Sequence, residues 1–260
     1  MVTNIQYHFS KIAKKYRNLR TTDLEPILYI QKQLQELPKI EAADIGCGGG
    51  RYDLELFQHL EDKLYLYCID ANPEMLKQLH FYLTQQGIRN FRTVESSAEK
   101  LPLESKSLDC VFTFNAIHHF KLTDFFTEVS RILKDDGLLF AYTRFRTQNK
   151  QNIWGRYFPL FKEKETRLYE LEDFQEVLKN YKTLELQSVE SFQYERVSSL
   201  ELLIEQAKNY HYSTFYLYSE EELEQSLKQF KYNIQMNFSE LDNIQWIDGN
   251  ALLVIRKLKS

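Results

Sequence analysis

The sequence has little cysteine, and an odd number of it: Cys47, Cys68 and Cys110 among 260 residues. Each falls inside or beside an apolar run that reads as a core strand, where a free thiol behaves as a small hydrophobe rather than half of a disulfide. The expectation is a reduced, cytoplasmic protein, and the spacing matches no zinc pattern. Long apolar runs are also missing. None approaches the roughly 18 residues a membrane span needs, and Met1–Ser10 lacks the basic-then-apolar layout of a signal peptide, so the reading is a soluble, unprocessed chain with no membrane partner. Excess positive charge is absent too. The 33 basic and 37 acidic residues leave a formal charge of −4, with no broad positive field for a polyanion, which disfavours nucleic acid as a partner. Glycine is scarce as well, yet four of the eight glycines, Gly46, Gly48, Gly49 and Gly50, are gathered in one segment.

Around that segment the chain is regular. A helical pattern places Leu24, Ile27, Leu28, Leu34 and Leu37 on one face, with Pro26 near its first turn and Pro38 just past its end. Strand-like and helix-like stretches then alternate: Ile40–Ile45, a helix from Arg51, Leu64–Ile69, a helix from Pro73 to Gln86 closed by Gly87, Phe91–Val94, Leu108–Phe114, a helix around Phe125–Leu133, and Leu138–Tyr142. Near-continuous apolar strands alternating with amphipathic helices imply a parallel sheet covered on both faces. From Thr147 the pattern loosens, although Ser198 with Glu201 and Ser219 with Glu222 have capping-box spacing, and Ala251–Ile255 reads as a last strand.

The segment Asp44-Ile45-Gly46-Cys47-Gly48-Gly49-Gly50-Arg51-Tyr52 follows a strand and precedes a helix. Its glycines permit a tight turn and close approach of a nucleotide-like ligand. A dinucleotide fingerprint requires a third glycine where Arg51 stands, and the acidic Asp44 suits a cationic amino group better than a pyrophosphate. Asp70 ends the next strand, at the carboxyl edge where open α/β sheets bind ligands, and a carboxylate there can accept bonds from both ribose hydroxyls. The alternative for Asp70 is a surface loop acid. Asn72 and Pro73 begin the following helix as N-cap and first helical residue.

Five segments in order, Asp44–Gly50, Cys68–Met75, Ser97–Leu103, Ser107–Phe120 and Leu133–Gly137, resemble the successive motifs of class I S-adenosylmethionine-dependent methyltransferases, particularly the methyltransferase type 11 group, over residues 40–145. The resemblance implies a Rossmann-like, mostly parallel seven-stranded sheet with helices on both faces, and helical lid elements from the N-terminus and the C-terminal half. It implies one domain over residues 1–260, with cap helices at 1–38, a cofactor-binding core at 39–145, and lid or substrate elements with the last strands at 146–260. It also implies S-adenosylmethionine as cofactor and S-adenosylhomocysteine as product. Carried over, Gly46, Gly48 and Gly50 pass the methionine part, with Asp44 near its amino group; Asp70 holds the ribose; Ala71 and Met75 flank the adenine; Ser97 and Ala98 meet its edge; Asn115 and Ala116 lie under the sulfonium. Ser97 stands where the group often has Asp, and Lys134-Asp135-Asp136-Gly137 departs from its usual Lys-Pro-Gly-Gly turn. Phe9–Tyr16 with Arg20 is similar to a segment these enzymes fold over the cofactor, so that Tyr16 and Arg20 close on its carboxylate end; the other reading is a solvated basic helix.

Methyl transfer is an in-line displacement for which orientation supplies much of the rate, and no dedicated catalytic residue is obligatory. An acceptor hydroxyl or weakly acidic carbon needs a base, and His118 and His119 are the candidates, against a merely pocket-lining role. Tyr210–Tyr218 carries four tyrosines in nine residues, read either as an acceptor wall or as core and rim. Arg144, Arg146, Trp154 and Arg156 follow the fifth strand as candidates for an acidic acceptor. The leading reading is methylation of a small molecule, with tRNA modification and a non-catalytic cofactor-binding interaction protein as alternatives.

Overall fold

The computed structural model describes residues 21–259. Tyr16, Arg20 and the segment Phe9–Tyr16 lie outside these. The described residues divide into two compact units. One holds the chain up to Thr143 together with Leu171–Glu190 and the stretch from Ala251; the other holds Arg144–Glu170 and Ser191–Asn250.

In the first unit, helix α1 (Glu25–Leu34) leads into strand β1 (Ile40–Ile45), helix α2 (Arg51–Leu60), β2 (Leu64–Asp70), α3 (Pro73–Gln85), β3 (Phe91–Glu95), β4 (Leu108–Phe114), α4 (Leu122–Ile132) and β5 (Leu133–Thr143). Helix α8 (Leu171–Leu178) and parts of two long strands, β6 (Leu184–Ser198) and β7 (Ile244–Lys257), complete it. The seven strands lie in the order β3-β2-β1-β4-β5-β7-β6. The β1–β2, β1–β4, β2–β3 and β4–β5 pairs are parallel, and β5–β7 is antiparallel. The expected Rossmann-like, mostly parallel seven-stranded sheet is therefore present.

Local sequence accounts for these elements. β1 and β4 run through Ala42, Ala43 and Ile45, and through Cys110, Val111 and Phe112, all buried, as strands covered on both faces must be. Asn72 caps α3 by accepting the N–H groups of Glu74 and Met75, and Pro73 takes the first helical position. The buried face of α1 is Ile27, Ile30 and Leu34, while Leu24 and Leu28, expected on it, are exposed. Ile27, Ile30 and Leu34 keep the 3-4 rhythm of one stripe, from which Leu28 departs, and Leu24 precedes the first helical residue as the N-cap.

Two features depart from expectation. β5 begins at Leu133 and passes through a register shift against β4 between Leu108 and Cys110, so Lys134–Gly137 is part of an irregular strand, with Lys134 paired to Asp109 at 2.7 Å. The fifteen-residue β6 did not stand out in the sequence, because its outward positions carry Glu, Gln and Ser and few of its residues are buried.

The second unit contains α5 (Arg146–Gln151), α6 (Ile153–Tyr157), α7 (Phe161–Lys164), α9 (Leu200–Lys208) and α10 (Glu220–Asn237). Trp154, Phe158, Phe161, Phe215 and Phe230 form its core. Ser219 and Glu222 make the expected capping box at the start of α10. The cap of α9 is Ser199, whose hydroxyl accepts from Leu202 N–H, and not Ser198, which is still the last residue of β6. The side chain must reach the third helical N–H, and Ser199 alone has that offset.

Candidate functional site

The order of the sheet reverses between β1 and β4, and in open α/β sheets ligands bind outside the carboxyl ends of the strands at such a switch point. Two connections leave that edge: Gly46–Gly50 after β1 and Asn115–Phe120 after β4. They meet closely. A Cβ on Gly46 would lie 2.5 Å from Ala116 Cβ and 3.0 Å from Phe120 Cζ.

The glycine loop is held in shape by its backbone. Gly46, Gly48 and Gly50 have φ of 77°, 56° and 80°, which a Cβ disfavours. Gly46 and Cys47 donate to the Ile69 carbonyl at 2.8 and 3.1 Å, joining the loop to the end of β2. A Cβ on Gly49, by contrast, would meet nothing among the described residues within 4 Å. Asp70 braces the loop from the side: its carboxylate accepts Gly48 N–H at 2.9 Å and Asn72 N–H at 2.8 Å. Burial pushes Asp70 up, and the backbone N–H groups of Asn72, Gly48 and Ala71 counter that by stabilising the charged form.

Asp44 is 1% exposed, and its Oδ1 has no hydrogen-bond partner. Burial holds it well above the ordinary carboxylate range, and the neighbouring Asp53 and Asp70 add to the shift. Asp53, in the first turn of α2, is fully buried. Burial raises it to about 7, countered by the Cys68 thiol and its own N–H and reinforced by Asp70. Asp53 was not among the residues picked from sequence. The signal was present: Asp53, Leu56, Phe57 and Leu60 occupy i, i+3, i+4 and i+7 of the buried stripe of α2, so an acid begins an otherwise apolar face. Also unforeseen was the aromatic floor of Tyr52 stacked on Phe114, with centroids 4.3 Å apart and planes 8° apart, and Tyr142 edge-on to Tyr52 at 5.9 Å.

The remaining expected residues are distributed as follows. Met75 is buried and Ala71 exposed at the start of α3, beside Asp70 in sequence. Ser97 is exposed and Ala98 buried in the turn after β3. Asn115 has φ 54° and donates its N–H to the Tyr142 carbonyl at 2.7 Å, a left-handed position that Asn tolerates. His118 and His119 form a short 3-10 turn with ring centroids 4.0 Å apart, both half-buried. Among the described residues, no group of three His, Cys, Asp or Glu side chains is arranged to hold a metal ion.

The loop and its acids fit the cofactor that the resemblance implies. Glycine backbone at Gly46, Gly48 and Gly50 lets a ligand approach without a Cβ in the way, and an orphaned buried carboxylate oxygen at Asp44 suits a cationic amino group.

In the second unit two expectations are corrected. Arg144 is buried and spoken for: it pairs with Asp248 at 3.1 Å and donates to Gly249 O and Asn250 Oδ1. Arg146 spends its Nε and Nη2 on the Leu168 carbonyl, and Trp154 is core. The rings of Tyr210–Tyr218 belong to core and rim, with Phe215 and Tyr218 buried and Tyr210 and Tyr212 packed against them. Arg156 is exposed, and with Gln148, Gln193, Tyr157, Phe192 and Trp246 it lines a cavity of about 420 Å³ inside this unit.

Residues 43–141 match the family model described as a methyltransferase domain. The uncharacterized methyltransferase YcgJ of Bacillus subtilis (strain 168) is 29% identical over 131 residues, 50% of this chain and 51% of that protein. The chain thus spans about half the length of the curated relatives it matches. The crystal structure of the YcgJ protein superposes with a TM-score of 0.62 at 16% identity, covering 91% of this chain and 99% of that one. Geranyl diphosphate methyltransferase, solved in complex with S-adenosylmethionine, gives 0.56 at 12% identity, covering 91% and 85%. Both show likeness of fold.

Proposed function

We propose, from the match of residues 43–141 to the family model described as a methyltransferase domain, that this chain is a class I S-adenosylmethionine-dependent methyltransferase acting on a small-molecule acceptor. The observation that carries the reading is the 1% exposed Asp44 carboxylate, whose Oδ1 has no hydrogen-bond partner, beside a glycine-rich loop at the sheet's switch point.

In this reading Asp44 offers its free oxygen to the ammonium of the cofactor's amino-acid end, a charge-assisted contact worth more in a buried place than in water. Asp70 takes the ribose hydroxyls while keeping Gly48 and Asn72 in position. Met75 and Ala98 supply apolar surface for the adenine. When bound, S-adenosylmethionine supplies an electrophilic methyl on a sulfonium. Asn115 and Ala116 bound that side of the site, where Ala116 is packed against Gly46. The chain's contribution is alignment and exclusion of water, which orientation effects make worth about 7–11 kcal/mol. His118 or His119 removes a proton where the acceptor is a hydroxyl or carbon acid.

A small acceptor is supported by the near-balanced charge of the chain, −4 overall, which offers no broad positive field for a polyanion. The test is transfer of labelled methyl from S-adenosylmethionine in a cell extract supplemented with the pure protein. Label in the small-molecule fraction supports the reading. Label confined to RNA, or none above the extract alone, contradicts it.

A further inference from the structure

Asp53 is the feature that the proposed function leaves without a use. It is a fully buried acid, and neither of its carboxyl oxygens has a hydrogen bond of ordinary geometry, the adjacent polar groups being the Cys68 thiol and its own N–H. The groups facing it are Asp44 from β1, Cys68 and Asp70 from β2, and Cys47 from the glycine loop. None of these is cationic, and no positive side chain among the described residues contributes to Asp44, Asp53 or Asp70. Two buried carboxylates with no counter-charge among the described residues do not both stay ionised on those residues alone; a proton or a cation from elsewhere must relieve them. Among the described residues no cluster is arranged for a metal; a proton in the free protein and a ligand's own ammonium group are the relief the proposal takes up.

We propose that Asp53 is a further residue of the cofactor site: with Asp44 it forms a buried acid pair that keeps a proton in the free protein and releases it when the ammonium end of the cofactor docks at Asp44. The inference rests on the cofactor reading above. Its balance is simple. One carboxyl O–H bond breaks, the proton passes to solvent buffer, and the new carboxylate charge is met by the ligand's ammonium. Asp53 then acts as a positioning residue, setting the charge that Asp44 presents without touching the ligand. The consequence is a cofactor affinity that rises with pH through the neutral range, because the proton competes with the ligand for the same pair.

The experiment is calorimetric titration of S-adenosylhomocysteine into the full chain between about pH 5.5 and 7.5, where an α-amino group keeps its proton. Each titration is run in two buffers of different ionisation enthalpy. The expected result is a Kd that falls towards tenfold per pH unit, with about one proton released per ligand bound. In Asp53→Asn the proton release drops while binding persists. With 5′-methylthioadenosine, which lacks the amino-acid end, wild-type protein releases none. Equal heats in both buffers and a pH-independent Kd for wild-type protein overturn the proposal, whether or not the variant folds. Absence of binding at every pH overturns the cofactor reading and this inference together, whereas binding without proton release overturns the inference alone.

Discussion

Gly46 and Ala116 face each other across the switch point of the sheet so closely that a methyl group on Gly46 would come within 2.5 Å of Ala116 Cβ. Gly46 also sits at φ 77°, so Gly46→Ala carries both a steric clash and a left-handed backbone. We expect a loss of about 2–4 kcal/mol in denaturant unfolding. Gly49→Ala, with nothing among the described residues within 4 Å of the added methyl, should leave stability within about 0.5 kcal/mol and weaken cofactor binding. The two variants thus separate a glycine required by the fold from one required by the ligand.

The burial of Asp53 sets a pH dependence of stability whose sign is fixed. Its folded-state value, about 7, lies above the ordinary 3.8, so the folded protein holds more protons than the unfolded chain between those values. The associated stability is full below the unfolded value and is lost as pH rises towards about 7. Urea unfolding of the free protein should therefore show a falling midpoint from about pH 5 to pH 7.5, by up to about 1.4 kcal/mol per pH unit. Asp44 acts in the same direction. In Asp53→Asn the slope should shrink.

Arg144→Met tests the corrected role of that arginine. Asp248, 7% exposed, would keep the Trp246 indole N–H at 3.3 Å and, as its cationic partner, Arg196 at 3.7 Å, and leaving a buried charge poorly compensated costs about 3 kcal/mol. Cofactor affinity should be unchanged. A loss of acceptor binding with stability intact would return Arg144 to the acceptor.

For the histidine pair, His118→Ala and His119→Ala should each bind S-adenosylhomocysteine as wild type does. At least one should lose about 100-fold or more in turnover on a hydroxyl or carbon-acid acceptor, the usual scale of a general base. Wild-type turnover in both, across pH, removes them from the chemistry.

The strands from Ile40 to Tyr142 were readable because each is a short apolar run bounded by turn residues, and the helix at Pro73 because Asn72 and Pro73 are backbone instructions in themselves. β6 was not, since a half-solvated strand written with Glu, Gln and Ser resembles a loop. The glycine loop and Asp70 were readable for a similar local reason. Asp53 was not, because an acid one turn past the loop is ordinary on a solvated helix, and only the packing of α2 on the sheet shows that its face is inward. Arg144 misled in the opposite way: position after β5 suggested a ligand, while its partners Asp248 and Asn250 lie more than a hundred residues further on.

The most direct test is calorimetric titration of S-adenosylhomocysteine into wild-type protein and into Asp70→Ala, with unfolding of both followed in parallel because Asp70 also holds Gly48 and Asn72. The account predicts micromolar binding to wild type, weakened by about 1.5–3 kcal/mol in the folded variant through loss of hydrogen bonds to a charged group. No binding to wild-type protein, or equal affinity in the two, would contradict it.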